Sequence, residues 1–99
     1  MSQVKNTYTQ FLDSGAGDTQ LHTTPGFILA IIASAPASGY TITFTDTSGS
    51  GDSHTLLKLD ISATIYPTYI RLDNTSKIRF THGLKVNPSS ARVFIVTEV

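Results

Sequence analysis

Residues 40–46 read YTITFTD. In an extended chain Tyr40, Ile42 and Phe44 share one face and Thr41, Thr43 and Thr45 the other, a period of two that marks a half-buried strand. The same habit recurs along the chain. In HTLLKLDIS, Leu57, Leu59 and Ile61 alternate with Lys58 and Asp60, and the segment has the reach to pair back on YTITFTD. In KIRFTHGLKV, Ile78 and Phe80 point inward, Lys77 and Arg79 outward. Thr, Ile, Val, Tyr and Phe are plentiful, and Gly, Pro, Ser or Asn interrupt them every eight to twelve residues or so.

Further strands are expected at Leu21 to Thr24 ahead of Pro25, in the apolar run Gly26 to Ser34, in YPTYIRLD and in ARVFIVTEV. The run from Gly26 could form a buried helix, but Ile28, Ile31 and Ile32 between Pro and Gly favour a core strand. Pro67 suits a strand start or an edge, since it cannot donate to a ladder. The expectation is an all-β, single-domain antiparallel β-sandwich, jelly-roll-like, of about seven or eight short strands. A small closed barrel is the competing architecture. The 99 residues suffice for one domain and not two. Within it, residues 1–20 read as an extended N-terminal arm ending in the Gly-rich break SGAGD, and residues 21–99 as the sandwich. The arm carries Val4, Tyr8, Phe11 and Leu12, and could fold back onto a sheet edge or reach a neighbouring subunit.

Charge narrows the partners. Seven basic residues balance seven acidic ones, without like-charge runs, so no field gathers a nucleic acid or an anionic membrane. Charged residues make up 14% of the chain against about 25% in ordinary soluble proteins, so much of the surface is neutral Ser and Thr, which leans toward a surface held in an assembly. Without cysteine there is no disulfide or thiolate metal site. The N-terminus lacks the apolar core of a signal peptide, and Gly26 to Ala35 is about half the length of a membrane span.

The stretch DTSGSGDSH, Asp46 to His54, is the main candidate for chemistry. Asp46, Ser48 and Ser50 alternate as calcium ligands do, with Asp52 as a second carboxylate, but a third acid and a bidentate Glu are missing. As a hairpin connection, with Gly49 and Gly51 supplying positive φ, every residue is already explained. His22, His54 and His82 have no zinc-like spacing. GSGDS lies in that hairpin and not at a strand-to-helix elbow, and Glu98, the one Glu, has no partner acid in view. Tyr8, Tyr40, Tyr66 and Tyr69 could stack a sugar, though alternating aromatics usually serve the core. Neither an enzyme nor a cofactor is expected.

Taken in order, GFILAIIAS, GYTITFTDTSGSG, TLLKLDIS, IRFTHGLKV and ARVFIVTEV resemble small bacteriophage virion proteins of the capsid decoration, or cement, and head-fibre type. A glycine-led apolar strand precedes one ending in an aromatic, an Asp and a Gly-containing turn. A later strand runs into Gly83, Leu84 and Val86, and a last strand closes the chain. Here Thr45 separates Phe44 from Asp46. The likeness covers Gly26 to Val99, three quarters of the chain. It implies a non-enzymatic β-sandwich, often a homotrimer, that is made in the host cytoplasm and binds the major capsid protein on the virion surface. There the arm residues Val4, Tyr8, Phe11 and Leu12 would supply contacts. The alternative is a receptor- or carbohydrate-binding module of a tail fibre or surface protein, using Tyr and Asp at loop ends.

Overall fold

The computed structural model describes residues 6–35, 39–49, 51, 53–61, 68–72 and 77–99. Two antiparallel sheets face each other across one core. The first is ordered β1 (Thr7–Leu12), β9 (Arg92–Glu98), β3 (Gly26–Ser34), β6 (Thr68–Arg71), with β7 (Ile78–Phe80) also on β3. The second is ordered β2 (Thr19–His22), β8 (Leu84–Asn87), β4 (Tyr40–Asp46), β5 (His54–Ile61). The chain therefore changes sheet after β1, β2, β3, β5, β7 and β8, which is jelly-roll winding.

Among the described residues nine strands stand where seven or eight are expected, because the N-terminal segment forms β1 and KIRFTHGLKV breaks at Thr81–Gly83 into β7 and β8, one in each sheet. β6 and β7 share one lane. β6 pairs with Ala30–Ala33 and β7 with Gly26–Ile28, end to end along the same side of β3. At the junction β3 bulges between Ile28 and Ala30, and the Leu29 carbonyl accepts the Leu72 N–H at 2.8 Å.

The alternation read from the sequence sets the core. Ile42 and Phe44 of β4, Leu84 and Val86 of β8, Ile28 and Ile31 of β3, Val93 and Ile95 of β9, and Phe80 of β7 are fully buried between the sheets. Each such side chain contributes roughly 1.5–3 kcal/mol of burial, opposed by the chain entropy of ordering the strands.

Of the two courses open to the N-terminal segment, folding back is the one taken. Thr7–Leu12 forms β1 against β9 in unbroken register, and beyond it Asn6 and Val99 exchange both backbone bonds at 3.0 Å. The division at residue 20 falls inside β2, so residues 6–20 belong to the same sandwich. SGAGD is the crossing between sheets: Gly15 N–H donates to the Ser89 carbonyl at 2.9 Å and Ser14 Oγ to the Ser90 carbonyl at 2.8 Å. Positive φ at Gly15 and Gly17 permits the reversal.

Candidate interaction surface

Asp46 ends β4 on the inward face, 4% exposed, and its carboxylate is already engaged. Oδ2 accepts the Thr81 N–H and Thr81 Oγ1–H, both at 2.8 Å; Oδ1 accepts the N–H groups of His82 at 2.8 Å and Gly83 at 3.3 Å. Burial by itself raises the pKa of this carboxyl, but the donors outweigh it and bring the value from 3.8 down to about 2. Asp46 thus clamps the turn that leads from β7 into β8. Its oxygens are committed to protein donors and not turned toward a cation. The loop after it is a hairpin connection with positive φ at Gly49 and Gly51; Ser50 and Asp52 lie outside the described residues.

The His22 ring packs on Tyr8 and Phe80, and the other two histidines meet each other. His54 and His82 come within 6.5 Å, ring to ring, beside the Asp46 clamp. Thr81 Oγ1 gives its proton to Asp46, so it accepts from His82 Nδ1 at 3.0 Å. Among the described residues no group of three or more His, Cys, Asp or Glu could hold a metal ion.

His22 lies between the sheets. Its ring stacks on Phe80 at 5.8 Å, tilts against Tyr8 at 5.5 Å, and hydrogen bonds through Nε2 to the buried Thr97 hydroxyl at 2.7 Å. Burial lowers its pKa below 6.5. The unfolded chain then binds this proton more readily than the folded one, so stability falls as the pH drops below about 6.5 toward the folded pKa. Thermal melts at pH 7.5 and 5.5 are expected to show the loss. His22→Gln, which keeps a polar partner for Thr97, is expected to shrink the gap between the two melting temperatures.

The four arm residues have separate fates. Val4 lies outside the described residues. Leu12, expected as a contact, is instead part of the core, because it faces inward opposite Val93. Tyr8 shares that inward parity and leans on His22, half exposed at the sheet edge. Phe11 alone faces fully outward, 47% exposed, with its ring 4.7 Å from that of Phe94.

Register extends Phe11 into a row. Phe94 of β9 lies opposite both Phe11 of β1 and Ile32 of β3, and Ile32 lies opposite Tyr69 of β6. Phe11, Phe94, Ile32 and Tyr69 thus cross four strands at one level on the outer face of the first sheet, with Phe94 43% and Tyr69 60% exposed. Val96 and Ala30 line the next level, between Thr9 and Arg71. No helix or sheet among the described residues covers this face. A single aromatic on a surface needs no explanation; two in ring contact, continued through Ile32 to a third, form a continuous apolar strip.

The sequence signal for this strip is in RVFIVTE, where Phe94 and Val96 break the alternation set by Val93 and Ile95. Apolar residues of both parities in one strand mean that both faces of its sheet are apolar. Of the other tyrosines considered for sugar stacking, Tyr66 lies outside the described residues, and Tyr40 lines an open hollow with Gly39, Thr41, Asp60 and Ile61. Asp60 there accepts the Thr41 hydroxyl at 2.6 Å. Comparison of the chain with protein-family models, with curated proteins and with solved structures finds no match.

Proposed function

We propose that the chain is a non-enzymatic structural protein of a bacteriophage virion, a decoration or cement protein that binds the major capsid protein on the outside of the assembled head. The observation that supports this reading best is the uncovered row of Phe11, Phe94, Ile32 and Tyr69. Aromatics of about 200 Å² each, near half exposed, offer roughly 300 Å² together, well under the ~800 Å² per partner of a standard interface. One such contact is weak. Repeated across a lattice of identical subunits, copies that engage together gain avidity without further contacts, and binding the folded shell stabilises it by mass action.

Jelly-roll winding is found in capsid proteins and lectins alike, so the fold does not choose between a shell and a glycan. The surfaces do favour one. The glycan reading rests on the hollow at Tyr40, where the nearby carboxylate of Asp60 is already bonded to Thr41. The strip is mainly apolar, with the Tyr69 hydroxyl, Thr9 and Arg71 only at its ends, and suits a protein surface.

The test is co-sedimentation of the purified chain with phage heads stripped of their decoration protein. Phe94→Thr together with Tyr69→Thr is expected to weaken binding by about tenfold or more while leaving the melting temperature within a few degrees, since both rings are substantially exposed. Unchanged binding by this folded variant would remove the strip from the mechanism. Deleting the N-terminal segment is the poorer experiment, because it strips β1 from the sheet and Leu12 from the core.

A further inference from the structure

The ends of the two sheets are unequally protected. On the second sheet β5 carries Lys58 and Asp60 and pairs through a bulge at Phe44/Thr45, and β2 is four residues long with a bulge at Gln20/His22. On the far side of the first sheet β6 and β7 have four and three residues. Such features discourage a passing strand from adding to an edge. β1 has none of them: TYTQFL is six residues, regular in register, without charge, proline or bulge.

Its open hydrogen bonds can be named. Asn6 and Val99 exchange both backbone bonds, and along an antiparallel pair such exchanging pairs alternate with non-exchanging ones. Tyr8, Gln10 and Leu12 therefore bond toward β9. Thr7, Thr9 and Phe11 turn their N–H and C=O groups outward, and no described strand lies on that side.

We infer that this edge is the site at which a second copy of the chain adds, β1 against β1 in antiparallel register, about a twofold axis through Thr9. That register is the one in which the pattern matches itself. Thr9 meets Thr9 of the second copy and Thr7 meets Phe11, so all three outward-turned residues of each strand fall in exchanging pairs and no outward group is left over. Threonine opposite threonine is a favourable cross-strand pair, and a neutral edge meets its copy without repulsion.

The inner face agrees. In the same register Tyr8 stands opposite Gln10 of the second copy. Gln10 Oε1 is buried with no hydrogen-bond partner among the described residues, and the half-exposed Tyr8 brings a hydroxyl donor into the adjacent cross-strand position. The product is one continuous sheet across both copies with both aromatic rows on the same side. A twofold pair replaces the threefold arrangement implied by the resemblance, and it does not depend on what the aromatic row binds.

The experiment uses the full chain, which lacks cysteine, so that one introduced thiol reports alone. Light scattering is expected to give twice 10.7 kDa for the wild type at high concentration, and Thr9→Pro, which removes an outward N–H that β9 does not use, to weaken the dimer by about tenfold or more. Under mild oxidation Thr9→Cys is expected to cross-link and Thr7→Cys to fail, since the two Thr7 positions lie about 13 Å apart in this register, beyond the reach of a disulfide. A monomer for the wild type up to about millimolar concentration, equal cross-linking of the two cysteine variants, or a dimer undiminished by Thr9→Pro would each overturn the inference. The last outcome would move the contact to another surface, such as the aromatic row.

Discussion

Asp46→Ala is expected to lower the melting temperature by about 15 °C, corresponding to about 3 kcal/mol in a domain of this size. The carboxylate holds four donors from three consecutive residues, and three of these are backbone N–H groups that cannot turn away. Water can reach the exposed Thr81 and His82, but the Gly83 N–H is buried and would be left unpaired. The pH dependence gives a signature that a simple cavity would not. The folded pKa of about 2 lies below the ordinary 3.8, so this stabilisation is fully present above about pH 5 and is lost as the pH falls through the folded value. It amounts to about 2 kcal/mol. Urea melts between pH 6 and 2 are expected to show this fall in the wild type and a flatter profile in the variant. Parallel profiles would mean that Asp46 contributes by packing alone.

Gly83→Ala is expected to cost about as much, about 3 kcal/mol, through geometry and not charge. A Cβ on Gly83 would clash with the His22 carbonyl, stand 2.6 Å from the Thr47 carbonyl and 3.1 Å from the Thr23 Cα. All three obstacles are backbone, so relief requires β2 or the end of β4 to move. The Gly83 carbonyl also accepts the Thr47 N–H at 3.3 Å, and any such shift strains that bond. Asp46 and Gly83 serve one corner, where β4, β7, β8 and β2 converge. Once either substitution has loosened it, the second has less to disrupt, so the double variant is expected to lose less than the sum of the singles. Differential scanning calorimetry of the four proteins measures the difference; additive losses would show that the two residues act independently.

The fold was readable wherever one face of a strand is buried and the other wet. YTITFTD and the strand after it alternate because their outer faces meet solvent, and their hairpin pairing follows from the short connection between them. The N-terminal segment was readable as extended but not as placed: TYTQFL suits an edge strand and a reaching arm equally, and only its register on β9 decides. The role of Asp46 was hidden for a different reason. A carboxylate in a Ser- and Gly-rich loop looks like turn or ligand chemistry, and the donors that engage it lie 35 to 37 residues away in sequence. The aromatic strip is likewise a property of four strands brought side by side. Phe11 and Tyr69 stand out in the sequence for unrelated reasons, and only pairing sets them in one row with Phe94 and Ile32.

The position of β9 between β1 and β3 also orders events in time. During synthesis β3 emerges well before β9, with a run of isoleucines that finds no companion on that side until Arg92–Glu98 are made. The hairpin of β4 and β5 can form locally in the meantime, and β6 and β7 can add to β3, but the opposite sheet is completed only once β9 is made. A chain built this way folds slowly compared with helical proteins of its length, because both pairings of β9, with β3 and with β1, close long loops. Until then β3 is at its most prone to aggregate, and a ribosome that stalls before Arg92 leaves a product whose first sheet cannot close.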